Sequence, residues 1–224
     1  MAVNSETCKK IISELKDKKI TLVAVSKTKS AEEILELYHL GQRDFGENYV
    51  QELTEKYEQL PKDIRWHYIG HLQTNKAKYI APFVSLIQSV DSKKLLQEIN
   101  KQAKKNDRII DCLLQVHIAR EETKFGLDES ELKGIMETIN GKETPFKNIH
   151  IKGLMGMASF TDDEKIMRKE FQFLRTLFDK YSQFSIFNSQ FSILSMGMSA
   201  DYKIAVEEGS NMLRIGSLLF GKRN

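Results

Sequence analysis

The chain has 224 residues, 41% hydrophobic and 29% charged, with a formal net charge of +3: enough apolar mass for one large core, and too even a balance to argue for nucleic-acid or membrane-surface binding. Two cysteines, Cys8 and Cys112, make no disulfide framework, and the opening MAVNSETCKKIISELKDKKI lacks the apolar core of a signal peptide. No run approaches the ~20 apolar residues of a membrane helix, so a soluble, cytoplasmic protein is expected.

A helix over residues 4 to 17 opens the chain, followed by eight short apolar runs read as strands: ITLVAVS (20 to 26), RDFG (43 to 46), WHYIG (66 to 70), VSLIQSV (84 to 90), IIDCLLQVHI (109 to 118), IHIKGLM (149 to 155), FSILSM (191 to 196) and NMLRIG (211 to 216). Helical patterns separate them. SKKLLQEINKQAKK puts Leu95, Leu96, Ile99 and Ala103 on one face, and DEKIMRKEFQFLRTLFDKY aligns Met167, Phe171, Leu174, Phe178 and Tyr181. Strands alternating with helices pair in parallel through right-handed crossovers, and eight such units close into a (β/α)8 barrel. An open doubly wound sheet is disfavoured, because no Gly-x-Gly-x-x-Gly follows the first strand. Three prolines and no low-complexity stretch leave nothing to mark a linker, so residues 1–224 read as a single domain.

Barrel chemistry gathers at the carboxyl ends of the strands, and Lys27 closes the first. A lone lysine there is ordinarily a solvated surface group. Partly enclosed, it loses some of its preference for the charged form and becomes an amine that condenses with an aldehyde.

The seventh strand ends in Ser195, Met196 and Gly197, before a helix expected to open near Ser199 with Ala200 and Asp201 in its first turn; the eighth ends in Arg214, Ile215, Gly216 and Ser217. Loops after strands 7 and 8 of such barrels frequently cradle phosphate, with glycines admitting the backbone and helix N-termini presenting N–H groups. Ser195, Ser199 and Ser217 add hydroxyls. The plainer alternative makes Ser199 a helix N-cap and the glycines mere turn formers. Closure sets strand 8 beside strand 1, so the implied ligand carries both an aldehyde and a phosphate. Pyridoxal 5′-phosphate answers that description.

The blocks AVSKTKS, FGENYVQE, WHYIGHLQTNK, KFGL, GLMGM and LSMGMSADYKIAVEEGSNMLRIGSLLFG together resemble, in order and from about Thr21 to Gly221, the pyridoxal phosphate homeostasis protein family, single-domain relatives of the alanine racemase amino-terminal barrel. The resemblance implies a cofactor Schiff base on Lys27, not Lys29. It implies a phosphate held by Ser195, Met196, Gly197, Met198 and Ser199 together with Gly216 and Ser217, the last standing where threonine is more usual. It also implies Arg214 near the pyridine nitrogen, where arginine donates to an unprotonated ring and weakens it as an electron sink. Without the other blocks, Arg214 reads as an ordinary ion-pair partner.

Asn48 either meets the cofactor or caps the next helix. His67 and His71 lie on strand and turn, without the helical geometry of a metal pair. Met155 and Met157 read as packing groups, with the Met157 segment beside the ring in the family; Lys124 and Gly126 read as a solvated turn. Two functions compete. One is a cofactor holder involved in intracellular pyridoxal phosphate homeostasis, with apoenzymes as the expected recipients, without turnover of its own and expected to be monomeric. The other is an amino-acid racemase using Lys27 as one of two bases. The sequence stops soon after Gly221, where two-domain racemases continue into a β-rich domain, so their second base is not expected here.

Overall fold

The computed structural model describes residues 5–121, 123–141, 144–183 and 190–221. Helix α1 (Ser5–Asp17) leads into β1 (Thr21–Val25), α2 (Ala31–His39), β2 (Asp44–Glu47), α3 (Val50–Gln59) and β3 (Arg65–Tyr68). A 3₁₀ turn (Thr74–Lys76) and α4 (Ala77–Ile80) precede β4 (Leu86–Val90), α5 (Lys93–Lys105), β5 (Ile110–Gln115) and α6 (Glu129–Ile139). The chain then runs through β6 (Ile149–Met155), α7 (Glu164–Ser182), β7 (Ile193–Ser195), α8 (Tyr202–Glu207), β8 (Met212–Ile215) and α9 (Ser217–Phe220). All eight expected strands are present.

The strands form a closed parallel barrel in chain order. Closure is made by β8 against β1, in the register Thr21↔Met212 to Ala24↔Ile215. Local signals start several helices: Ser30 with Glu33, and Asp128 with Glu131, form capping boxes for α2 and α6. The apolar faces of α5 and α7 bury against the barrel as their spacing demands, with Phe178 only partly buried. Helix α1 packs on β1 and α9, where Cys8 Sγ–H donates to the Leu219 carbonyl at 3.4 Å. Among the described residues, no helix is long and apolar enough to cross a membrane.

Strand alternation decides what faces the barrel axis. Leu22, Ala24, Leu194, Leu213 and Ile215 belong to the large core between strands and helices. Val23, Leu86, Leu113, Met155 and Met212 form a separate interior cluster. Ser195 and Arg214 share the inward parity, whereas Met196 joins the outer core. That parity sorts the expected site residues.

Candidate functional site

A cavity of about 610 Å³ opens at the carboxyl ends of the strands. Val25 and Lys27 reach it from β1, Asn48 from the end of β2, and Met157 from the loop after β6. Met198 and Ser199 follow β7, while Arg214, Gly216 and Ser217 come from β8 and the start of α9. Of the expected site residues, these eight beside Val25 share one space; Ile69, Ala200 and Phe160 complete it. Phe160, 97% exposed, stands at its mouth.

Three expected residues lie elsewhere. Ser195 is fully buried and faces the barrel axis, where its hydroxyl donates to Gln88 Oε1 at 2.7 Å. Met196 is buried on the helix side. Gly197 adopts φ +97°, and a Cβ there would lie 2.5 Å from Ala205 Cβ, so turn geometry and packing account for this glycine.

Gly216 differs. Its φ of −117° suits any residue, and a Cβ would meet Val25 only at an ordinary 3.4 Å. The protein's own packing does not require glycine at this position. Gly216 itself lines the cavity. Ser199 is not a helix N-cap: α8 begins at Tyr202 with Asp201 at its cap position. Residues 199–201 instead form a turn, and Ser199 Oγ accepts the Gly216 N–H at 3.2 Å, tying the β7 and β8 loops together. Asp201 accepts the Met198 N–H at 2.5 Å.

Arg214 is 3% exposed. Its Nη1 donates to Ser195 Oγ at 2.6 Å and its Nη2 to the Gly156 carbonyl at 2.9 Å. A guanidinium carries five N–H donors, so these two bonds orient it while others remain for a ligand. Burial pulls its pKa down to about 10, against the opposing pull of Asp201. It remains cationic at neutral pH.

Asn48 does not cap α3, whose cap position is Tyr49. Its Oδ1 is buried and, among the described residues, meets no hydrogen-bond partner, in a residue that lines the cavity. An acceptor in that condition calls for a donor from a ligand or water. His67 is buried and His71 exposed; His71 stacks on Phe125 at 3.9 Å between ring centroids and meets Asp91 at 2.8 Å. Among the described residues, no group of His, Cys, Asp and Glu side chains is placed to hold a metal. Met155 packs in the barrel interior. Lys124 is held by the Ala158 carbonyl at 2.7 Å and Glu121 at 3.0 Å, so it braces two loops.

Sequence reasoning missed Gln88, Glu47, Glu52 and Lys56. A glutamine at inward parity within the apolar strand LIQSV, and a Glu52–Lys56 pair at i, i+4 spacing, were the available signals.

The alanine racemase N-terminal domain family matches residues 4–224 of this chain. The chain is 43% identical over 203 residues to the pyridoxal phosphate homeostasis protein of Aquifex aeolicus, covering 90% of this chain and 86% of that one. It is 42% identical over 213 residues to the human protein of the same name, covering 91% and 76%. Among solved structures, PipY of Synechococcus elongatus PCC7942 with PLP bound superposes with TM-score 0.84 at 32% identity, covering 96% of this chain and all of that one. Alanine racemase from Bartonella henselae shares the fold, with TM-score 0.71 at 15% identity over 99% of this chain and 62% of that one.

Proposed function

This chain belongs to the pyridoxal phosphate homeostasis protein family, and we propose that it binds pyridoxal 5′-phosphate in the cavity between β1 and β8, holding it reversibly rather than using it for turnover. One observation carries the reading. A lysine at the end of β1 and a glycine after β8, whose missing side chain the protein's packing does not require, open onto the same space.

The residues present suit this cofactor. Gly216 and the first turn of α9 admit a phosphate to backbone N–H groups, beside the Ser217 hydroxyl. Ser199 holds the β8 loop in place through the Gly216 N–H. Lys27 supplies the amine that condenses with the aldehyde, releasing water, and Asn48 Oδ1 offers an unpartnered acceptor. Arg214 donates to the pyridine nitrogen and keeps its own proton. When bound, the cofactor supplies an electrophilic carbon and an electron-withdrawing ring. An arginine partner leaves that ring unprotonated and mutes the withdrawal.

Among the described residues lining the cavity, Lys27 and Arg214 alone carry titratable side chains. A racemase needs a second base facing the first, and this lining supports holding and release instead. Likeness to alanine racemases carries the fold and nothing of the reaction. Release to apoenzymes in the cytoplasm, by a monomer, completes the proposal. The test is the visible spectrum of the protein mixed with pyridoxal phosphate, followed by borohydride reduction and peptide mapping. A yellow protein with the reduced adduct on Lys27 is expected; a colourless one, or an adduct on another lysine, overturns the reading.

A further inference from the structure

Lys27 lies between two residues tied to one buried ion cluster. On one side, Ser26 Oγ–H donates to Glu47 Oε1 at 2.6 Å and the Ser26 carbonyl accepts from Lys56 Nζ at 2.7 Å. On the other, the Thr28 N–H donates to Glu52 Oε1 at 2.6 Å. Lys56 joins the halves, its Nζ standing 2.8 Å from Glu47 Oε1 and 2.6 Å from Glu52 Oε1. An ammonium has three N–H donors, so this cation is saturated by one carbonyl and two carboxylates.

The burial is deep. Glu47 is wholly inaccessible and Lys56 only 7% exposed. Buried ion pairs are poor sources of net stability, because desolvation offsets their attraction. What such a cluster supplies is geometry. Thr28 holds φ +65°, an unfavourable conformation for a β-branched residue, and its N–H is anchored by Glu52. The backbone thus turns sharply immediately after Lys27 and is pinned on both sides of it.

We propose that Glu47, Glu52 and Lys56 are positioning residues for Lys27, clamping Ser26 and Thr28 so that the amine is presented to the cavity in one orientation. The inference rests on the reading of Lys27 as the Schiff-base lysine. Lys56 and Glu52 act on the backbone of the Lys27 turn, and Glu47 acts on it through the Ser26 hydroxyl and through Lys56.

The experiment uses the full chain and the variants Lys56→Met, Glu52→Ala and Glu52→Gln, with folding checked by circular dichroism. Amide exchange at Thr28 is measured without cofactor. The rate of Schiff-base formation with pyridoxal 5′-phosphate is followed by absorbance, and affinity is measured for pyridoxine 5′-phosphate, which has an alcohol in place of the aldehyde. Lys56→Met and Glu52→Ala are expected to hasten Thr28 exchange and slow bond formation roughly 10- to 100-fold, leaving pyridoxine phosphate affinity nearly unchanged. Glu52→Gln keeps an acceptor for Thr28 and is expected to retain most of the rate. If Lys56→Met fails to fold, Glu52→Ala carries the same readouts. Unchanged exchange and rate, or equal losses for both ligands, overturn the clamp. Failure of the parent reading shows separately, as a wild-type protein that forms no trapped bond at Lys27.

Discussion

Ser195 stands between Arg214 and Gln88: its oxygen accepts from Arg214 Nη1 at 2.6 Å, and its proton goes to Gln88 Oε1 at 2.7 Å. The chain continues inside the barrel. Gln88 Nε2 donates to His67 Nδ1 at 2.9 Å, and His67 Nε2 donates to Asp44 at 3.0 Å. Asp44 is gripped in turn by Arg65, at 2.7 and 2.5 Å. A polar row thereby links the cavity to the amino-terminal rim of the barrel. Ser195→Ala breaks it, leaving the Gln88 carbonyl and the Arg214 N–H buried without partners, at a cost of about 1–3 kcal/mol. Urea unfolding measures that loss. Because the hydroxyl orients Arg214 from the barrel interior, the variant should weaken pyridoxal phosphate and pyridoxal equally. A loss confined to the phosphorylated form would make Ser195 a phosphate ligand.

Lys27 and Lys29 separate cleanly. Lys29 Nζ is tied to Glu33 at 3.0 Å and to the Phe220 carbonyl at 3.2 Å. Lys27 lines the cavity. Lys27→Ala should abolish the borohydride-trapped adduct, while Lys29→Ala keeps it, as peptide mapping would report.

Gly197 and Gly216 should fail differently. Gly197→Ala places a methyl 2.5 Å from Ala205 Cβ at φ +97°, and so lowers the melting temperature. Gly216→Ala should leave the melting temperature nearly unchanged, because its Cβ meets Val25 at 3.4 Å. Filling the phosphate's place, it should weaken pyridoxal phosphate far more than pyridoxal, as titration would measure.

The eight strands were legible because each is a short apolar run bounded by helical periodicity. That Lys27, Arg214 and Gly216 would meet at one cavity was legible because barrels open their clefts at strand ends. Met196 was assigned with its neighbours as a block, although alternation sends it outward where Ser195 goes inward. The helix expected near Ser199 begins at Tyr202, since Asp201 turns back to the Met198 N–H. Gln88 and Ser195 are 107 positions apart, and no local spacing encodes such a pair. The contacts of Glu47, Glu52 and Lys56 with Ser26 and Thr28 are hidden for the same reason, since they span 21 to 30 positions.

Stability should respond to pH through Glu47. Burial raises its pKa from 4.5 to about 7 against the pull of Lys56 and Ser26. Between those values the folded chain holds a proton that the unfolded chain has released, so this contribution is full below pH 4.5 and lost as pH rises to about 7. The loss amounts to about 3 kcal/mol. Asp44 acts oppositely: burial pushes it up, but hydrogen bonds from His67 and Arg65 outweigh that and hold it at about 2. Its contribution is present above pH 3.8 and lost as pH falls to about 2. Urea midpoints followed across this range in Glu47→Gln should lose the neutral-side decline and keep the acid-side one.

Holding and catalysis part at the Cα proton. On the proposed function, amino acids would reach the bound cofactor by exchanging with the Lys27 amine, a step that needs no base beyond the amines themselves. Removing the Cα proton requires an acceptor and a ring able to take the charge. On the same reading Arg214, cationic at neutral pH with its pKa about 10, would keep the ring nitrogen an acceptor, and the described lining holds no titratable group besides Lys27 and Arg214 to return the proton from the other face. L-Alanine incubated with the loaded protein in deuterated water should therefore show a changed cofactor spectrum with little Cα exchange and no racemisation. Enzymes ordinarily turn over at ~1 to 10³ per second. Exchange at such rates, abolished by Lys27→Ala, would make the protein a racemase.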